Sequence, residues 1–256
     1  MKLRLLSLLA ATLFAAVAAR AESYAFKEPF TRTAPFNANG ELSLENVNGA
    51  VEIHTWDKNE ILIEGEKSAK TDEELRLIDL SIETSPTSAA IKVKLPKRSG
   101  GWFFGSNIRA SVRFKLTVPA RAVLRKIETV NASITLDGLL GSVHAATVNG
   151  RIAATGLGGD AKLETVNGSI RAAFASLAPG QHLACETVNG GITLALPKNA
   201  GAEVRASVVN GHIDCDFPIQ LSAGRVGRGS LKGAIGDGRA TLKAGTVNGS
   251  IHLESR

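Results

Sequence analysis

His212, Asp214 and Asp216 alternate along one stretch of the chain, a spacing that sends three side chains to the same face of a β-strand. An imidazole beside carboxylates could do general acid–base chemistry, and polysaccharide cleavage uses such groups in convergent pairs. The preceding copy of the repeat described below offers Gly191, Thr193 and Ala195 at the matching positions. The second carboxylate is therefore missing, and no catalytic residue is assigned. The five histidines are scattered without the spacing of a metal site, so neither metal nor cofactor is expected. Cys185 and Cys215 are the two cysteines. They stand in consecutive copies of the repeat, and either a disulfide or two buried thiols would suit them.

Two further groups could make contacts rather than bonds. Trp102, Phe103 and Phe104 lie between glycines, just after Lys97 and Arg98, in a chain with only 5% aromatic residues. Such a segment could insert into a partner or fold back over the flank of the protein. Lys126, Lys162, Arg205 and Lys243 recur at one position of the repeat, together with His144, and Glu128, Glu164 and Glu186 recur two residues later. They form either a stripe for a charged polymer or a solvated face whose columns neutralise each other.

The elements that must position these residues are visible as a repeat. Val-Asn followed by Gly or Ala occurs at Asn48, Asn131, Asn149, Asn167, Asn189, Asn210 and Asn248. From Asn131 onward the intervals are 18, 18, 22, 21 and 38 residues. The double interval suggests a worn copy at Arg228 to Leu231. Three residues after each Asn stands Val51, Ile134, Ile152, Ile170, Ile192, Ile213 or Ile251. Apolar residues also recur five after it, Cys215 among them, and four before it, Cys185 among them. Alternation on both sides of a corner means strand, turn, strand. Asn and Gly tolerate positive φ, which makes them natural corner residues. A period near twenty exceeds that of a hairpin array. It fits one coil of a single-stranded, parallel β-helix-like solenoid, in which stacked asparagines could hydrogen-bond in a ladder.

The predicted organisation has three parts. Residues 1–21 read as a signal peptide, with Lys2 and Arg4, an apolar run from Leu5 to Ala18, and small residues at Ala19 and Ala21. Residues 22–120 form an irregular β region that caps the coils, with a capped helical turn expected at Thr71 to Leu75. Residues 121–256 form the regular array. The formal charge of +6 falls to about +3 once Lys2, Arg4 and Arg20 leave, too little to point to nucleic acid. No apolar run after the leader is long enough to cross a membrane.

Several segments together resemble the bacterial "putative adhesin" family of domains of unknown function, β-strand repeat proteins related to autotransporter-adhesin head domains. They are Leu44 to Ile53 followed by Trp56-Asp57, the strand Val112 to Pro119 ending in Val-Pro, and the Thr-Val-Asn-Gly-Ser-Ile refrain at Thr165 to Ile170 and Thr246 to Ile251. The resemblance implies a β-solenoid and a non-enzymatic role outside the cytoplasm. The expectation is thus an exported adhesin-like or scaffold protein of periplasm or cell surface, binding an envelope protein or surface polysaccharide. With nothing after Leu253 that could form an anchor, another component is expected to hold it there. A polysaccharide-active β-helix lyase or hydrolase, and a ligand-free structural or envelope-stress protein, are the alternatives.

Overall fold

The computed structural model describes residues 24–95, 110–221 and 229–256. Among the described residues the chain is all-β apart from one short helix. It opens with β1 (Phe26–Pro35), β2 (Glu41–Glu45) and β3 (Val51–Trp56), then β4 (Glu60–Ala69), α1 (Asp72–Arg76), β5 (Asp79–Thr84), β6 (Ser88–Lys94) and β7 (Ala110–Pro119). Four strand pairs follow. They are β8 (Val123–Thr129) with β9 (Ile134–Asp137), β10 (Val143–Asn149) with β11 (Ile152–Leu157), β12 (Ala161–Asn167) with β13 (Ile170–Phe174), and β14 (His182–Asn189) with β15 (Ile192–Leu196). The last region holds β16 (Ala202–Asn210), β17 (Ile213–Cys215), β18 (Ile219–Leu221), β19 (Ser230–Ile235), β20 (Ala240–Asn248) and β21 (Ile251–Ser255).

Each repeat puts one strand before its corner and one after it into two different sheets. The pre-corner strands belong to an eleven-stranded sheet and the post-corner strands to a ten-stranded one. Successive copies pair in parallel and in register, Leu163 against Ala145 and Cys185, and Ile170 against Ile152 and Ile192. The three apolar columns read from the sequence are buried between the sheets, with Ile213 and Cys215 only partly covered. Each large aliphatic side chain so buried contributes about 1.5–3 kcal/mol. Narrow coils leave room for Ile, Leu, Val and Ala but for few rings, which explains the scarcity of aromatics.

The order of the coils is not the order of the chain. In the post-corner sheet β21 lies between β15 and β17, and in the pre-corner sheet β20 lies between β14 and β16. The final coil is thus tucked one place in from the end. The N-terminal end does the same: β2 and β3 are flanked on one side by β6 and β7 and on the other by β8 and β9. Only the coils from β8 to β15 stack in sequence. The worn copy expected near Leu231 is not a coil, since Ser230–Ile235 pairs antiparallel with β16. The interval of 38 residues is that antiparallel excursion.

Antiparallel strands close much of both ends. β5 pairs with β6, β4 with β7 and β1 with β4, and at the far end β19 pairs with β16 and β18 with β19. Such strands shield otherwise open parallel edges. The expected helical turn is present as α1, where the Thr71 hydroxyl accepts a hydrogen bond from the Glu74 amide at 3.1 Å.

The corner differs from expectation in its physics. No asparagine of the corner takes a positive φ. The glycine does take positive φ at three corners, Gly49, Gly211 and Gly249, at 112, 152 and 156°, and crowding adds a second demand: a Cβ on Gly168 would stand 1.9 Å from the Gly150 carbonyl oxygen, and one on Gly190 1.9 Å from that of Gly168. At these two corners the coils approach too closely for a side chain, whereas the β8–β9 corner holds Ala132.

Candidate functional site

The seven corner asparagines form one continuous ladder. Asn131 donates through Nδ2 to Asn48 Oδ1 at 3.0 Å, Asn149 to Asn131 at 2.8 Å, Asn167 to Asn149 at 2.9 Å and Asn189 to Asn167 at 2.9 Å. The tucked coil continues it, with Asn248 donating to Asn189 at 2.8 Å and Asn210 to Asn248 at 2.8 Å. Asn48 ends the series by donating to the Ala110 carbonyl at 3.0 Å. Every amide points the same way, so the ladder is polar along the stack.

Two residues before five of the seven asparagines is a buried threonine: Thr129, Thr147, Thr165, Thr187 or Thr246. Thr147, Thr165, Thr187 and Thr246 donate to the carbonyls of Ala132, Gly150, Gly168 and Gly190 at 2.9, 2.9, 3.0 and 2.9 Å. In the first coil Asn46 takes that place, and its Nδ2 reaches the Gly49 and Val112 carbonyls at 2.9 and 2.8 Å. These bonds satisfy carbonyls that the sharp corner would otherwise strand.

The residue immediately before each Asn is the one whose role the alternation understates. Val130, Val148, Val166, Val188 and Val247 are each 39–40% exposed and Val209 is 73% exposed. Together they form an apolar ridge that rises by one coil, about 4.8 Å, at each step. The ridge is one wall of a groove of about 880 Å³; Glu45, Glu128, Glu164 and Glu186 form the opposite wall and the threonines the floor. The signal was present in the Val of Val-Asn-Gly. A residue next to a corner faces out, and a repeated apolar one there has no use in the core.

The basic column lies beyond the acidic one and is largely consumed by it. Lys126 binds Glu45 at 2.9 Å and Glu128 at 3.3 Å, Lys162 binds Glu164 at 2.9 Å, and Lys243 binds Glu186 at 2.5 Å. Arg205 meets Glu203 of its own strand at 3.7 Å. Hydrogen bonds from Lys126 and Lys92 hold the Glu45 carboxyl below its usual range. Burial works to raise the Glu164 carboxyl, but Lys162 and His144 together bring it below the ordinary value. Glu45 and Glu164 are therefore ionised at neutral pH and poor proton donors.

Cys185 and Cys215 are both free. Their copies are consecutive in the chain but not in the stack, because the β20–β21 coil lies between β14–β15 and β16–β17. They also face the core from opposite sheets, which removes the adjacency on which a disulfide was considered. Burial pushes the Cys185 thiol up to about 12.

The same reordering changes the surroundings of His212. Its neighbour in the post-corner sheet is not the Gly191 strand but β21, which sets Asp214 beside His252 and places Ser250 against His212. Trp102, Phe103, Phe104 and the leader lie outside the described residues. Among the described residues no helix is long and apolar enough to cross a membrane.

Comparison with known proteins agrees with this architecture. The structure is similar to that of a "putative cell adhesion protein" from Clostridium sporogenes, at 14% identity and a TM-score of 0.52, over 90% of this chain and 100% of that one. A "putative adhesin" from Bacteroides fragilis aligns over 88% of this chain and 97% of its own, at 10% identity and a TM-score of 0.38. No curated protein matches. The sequence profile described as Toastrack DUF4097 matches residues 120–254, the stretch that carries the corner ladder from Asn131 to Asn248. More than half of the chain is covered by that match, and the chain belongs to the Toastrack DUF4097 family.

Proposed function

We propose that this protein is an exported, non-enzymatic binding or scaffold protein of the cell envelope, and that it engages its partner along the valine-walled groove. The repeating part is read as a β-solenoid whose corner is the contact edge. The observation that carries the proposal is the exposed valine ridge, repeated coil after coil beside a groove, since ridges of this kind mark interaction sites more often than bare solvent faces. The partner is an extended molecule, a surface polysaccharide or an envelope protein, with apolar groups for the ridge and cationic or hydroxyl groups for the glutamate wall. The adhesion descriptions of its structural relatives agree with such a role.

One arrangement argues against turnover in the groove. Glu45 and Glu164 are held in the ionised form by lysines, whereas glycan cleavage needs one carboxyl kept protonated. The lysines of the basic column are already paired, so the stripe for a charged polymer is the weaker contact surface. Export rests on the three-part leader of residues 1–21.

The test is binding of tag-free protein to isolated envelope fractions and to a glycan array, beside a Val166→Glu, Val188→Glu double variant. Retention by the native protein and its loss in the folded double variant is the expected result. Equal retention of the two would overturn the groove assignment. Release of reducing or unsaturated ends from any retained glycan would overturn the non-enzymatic one.

A further inference from the structure

We infer that His212, Asp214 and His252 form a binding site for a first-row divalent transition-metal ion, with zinc the natural occupant. One ligand atom from each residue lies within 4.8 Å of the other two. Asp214 Oδ2 is at the centre, 3.1 Å from His212 Nε2 and 3.0 Å from His252 Nδ1. Zinc bonds to nitrogen and oxygen of about 2.0–2.2 Å in a tetrahedral set keep the donors about 3.3–3.6 Å apart. An opening of a few tenths of an ångström at each of the two Asp214 contacts would bring those donor pairs to the spacing of a zinc site. Two imidazoles and one carboxylate favour zinc, nickel, copper or ferrous iron over calcium or magnesium, which prefer oxygen.

The support behind the donors is also that of a metal site. Ser250 Oγ lies 2.9 Å from His212 Nδ1. A proton held on Nδ1 and donated to that hydroxyl leaves the Nε2 lone pair facing Asp214, the usual way in which an outer hydrogen bond orients a metal-binding imidazole. Asp214 and His252 stand on strands locked by the pairings Ile213 with Ile251, Asp214 with His252 and Cys215 with Leu253, and His212, immediately before β17, is held by its carbonyl, which accepts from the Ile251 amide at 3.0 Å. The side chains are 65%, 56% and 41% exposed for His212, Asp214 and His252, which leaves open positions for water or for a donor group on a partner.

The site exists only because the last coil is tucked in. His212 and His252 are 40 residues apart and meet through the pairing of β17 with β21, so one ion would staple the tucked coil to the terminal one. His54 is a natural contrast on the same sheet. Its ring nitrogens lie 3.9 and 3.8 Å from two different carboxylates, those of Glu52 and Asp137, so no three donors converge.

The experiment is a zinc titration by calorimetry of the tag-free full chain, repeated with His212→Ala, His252→Ala, Asp214→Asn and His54→Ala, each checked for native circular dichroism. One zinc ion per chain is expected, with affinity lowered about tenfold or more by each ligand variant and unchanged by His54→Ala. Cobalt substitution should give visible absorption bands in the native chain that vanish in His252→Ala. Zinc should raise the melting temperature of the native protein and of His54→Ala, but not of His252→Ala. Zinc binding that is equal in native and Asp214→Asn protein, or absent at millimolar zinc, would overturn the site. If the alanine variants fail to fold, the isosteric Asp214→Asn and the cobalt spectrum of the native chain decide the matter.

Discussion

The coils from β8 to β15 and the coils at the two ends obey the same local rules but different global ones. In the middle, each copy rests on the copy that precedes it in the chain. At each end, the first or last corner coil is enclosed by a segment from elsewhere: β2–β3 by β6–β7, and β20–β21 by β16–β17. A repeat dictates what a coil looks like and which faces it offers. It does not dictate which coil it touches, because every copy presents nearly the same ladder of Asn, Thr and Ile. Tucking in the terminal coils leaves outer segments to carry the antiparallel strands that shield the edges.

The strongest way to break this comparison is to delete residues 240–256. Were the copies stacked in sequence, the deletion would shave one coil from an edge and leave the rest intact. In the observed order it removes the interior partner of both β14–β15 and β16–β17. The buried Leu242, Ile251 and Leu253 alone represent a loss on the order of 5 kcal/mol or more. Limited proteolysis should then cut throughout residues 197–235, while residues 123–174 stay protected.

The thiols give an all-or-none reading of the same point. Thiol titration of the unfolded protein without reductant should find two thiols, because Cys185 and Cys215 are separated by the β20–β21 coil. Titration of the folded protein should label Cys215 first, since Cys185 is fully buried with its thiol pushed up to about 12. No titratable thiol would mean a disulfide and a different coil order.

Much of this was legible in the residues themselves. The inward columns, the Asn ladder and the helical turn at Thr71 follow from periodicity and from hydrogen-bonding chemistry that acts within a coil or between like coils. What was not legible was contact order. Nothing in Ile251 or Thr246 announces that β20–β21 sits before β16–β17 in the stack, so the sequence hides the meeting of His212 with His252 and sets the two cysteines in what look like adjacent coils. The double interval before Asn248 was the available clue, but an antiparallel excursion and a worn coil fill the same length of chain. The groove is hard to read for another reason: the Val of Val-Asn-Gly looks like part of the corner motif, although its side chain faces outward.

Within the regular coils, the corner glycine carries the tightest constraint. Gly168→Ala must push apart backbone 1.9 Å away, with an expected cost of about 3 kcal/mol in urea unfolding. The β8–β9 corner holds Ala132 naturally, so Ala132→Gly should change stability by well under that amount. A Gly168→Ala cost no larger than that of Ala132→Gly would show that coil spacing relaxes freely at the corner.

Thr165→Val should cost about 1–2 kcal/mol, because the Gly150 carbonyl loses its buried hydroxyl donor. The end coil again differs, since Val208 stands at the threonine position in β16. There Val208→Thr should be close to neutral, and a large gain would mean that the terminal coil has an unsatisfied carbonyl waiting for a donor.

The smallest effect is expected at the ladder itself. Asn167→Ala removes two side-chain hydrogen bonds, the one it donates to Asn149 and the one it accepts from Asn189, both at 2.9 Å. Asn210→Ala removes only its donation to Asn248, at 2.8 Å. These amides are exposed and exchange for water, so the net losses should be about 1 kcal/mol and about 0.5 kcal/mol. The ratio matters more than either value. If the ladder acts as independent bonds, the interior substitution costs twice the terminal one. If its aligned amides polarise one another, the interior cost exceeds twice the terminal one, and a second substitution at Asn149 adds less than the first. Urea unfolding of the two single variants and the Asn149→Ala, Asn167→Ala double variant distinguishes a row of separate contacts from one polar unit spanning seven coils.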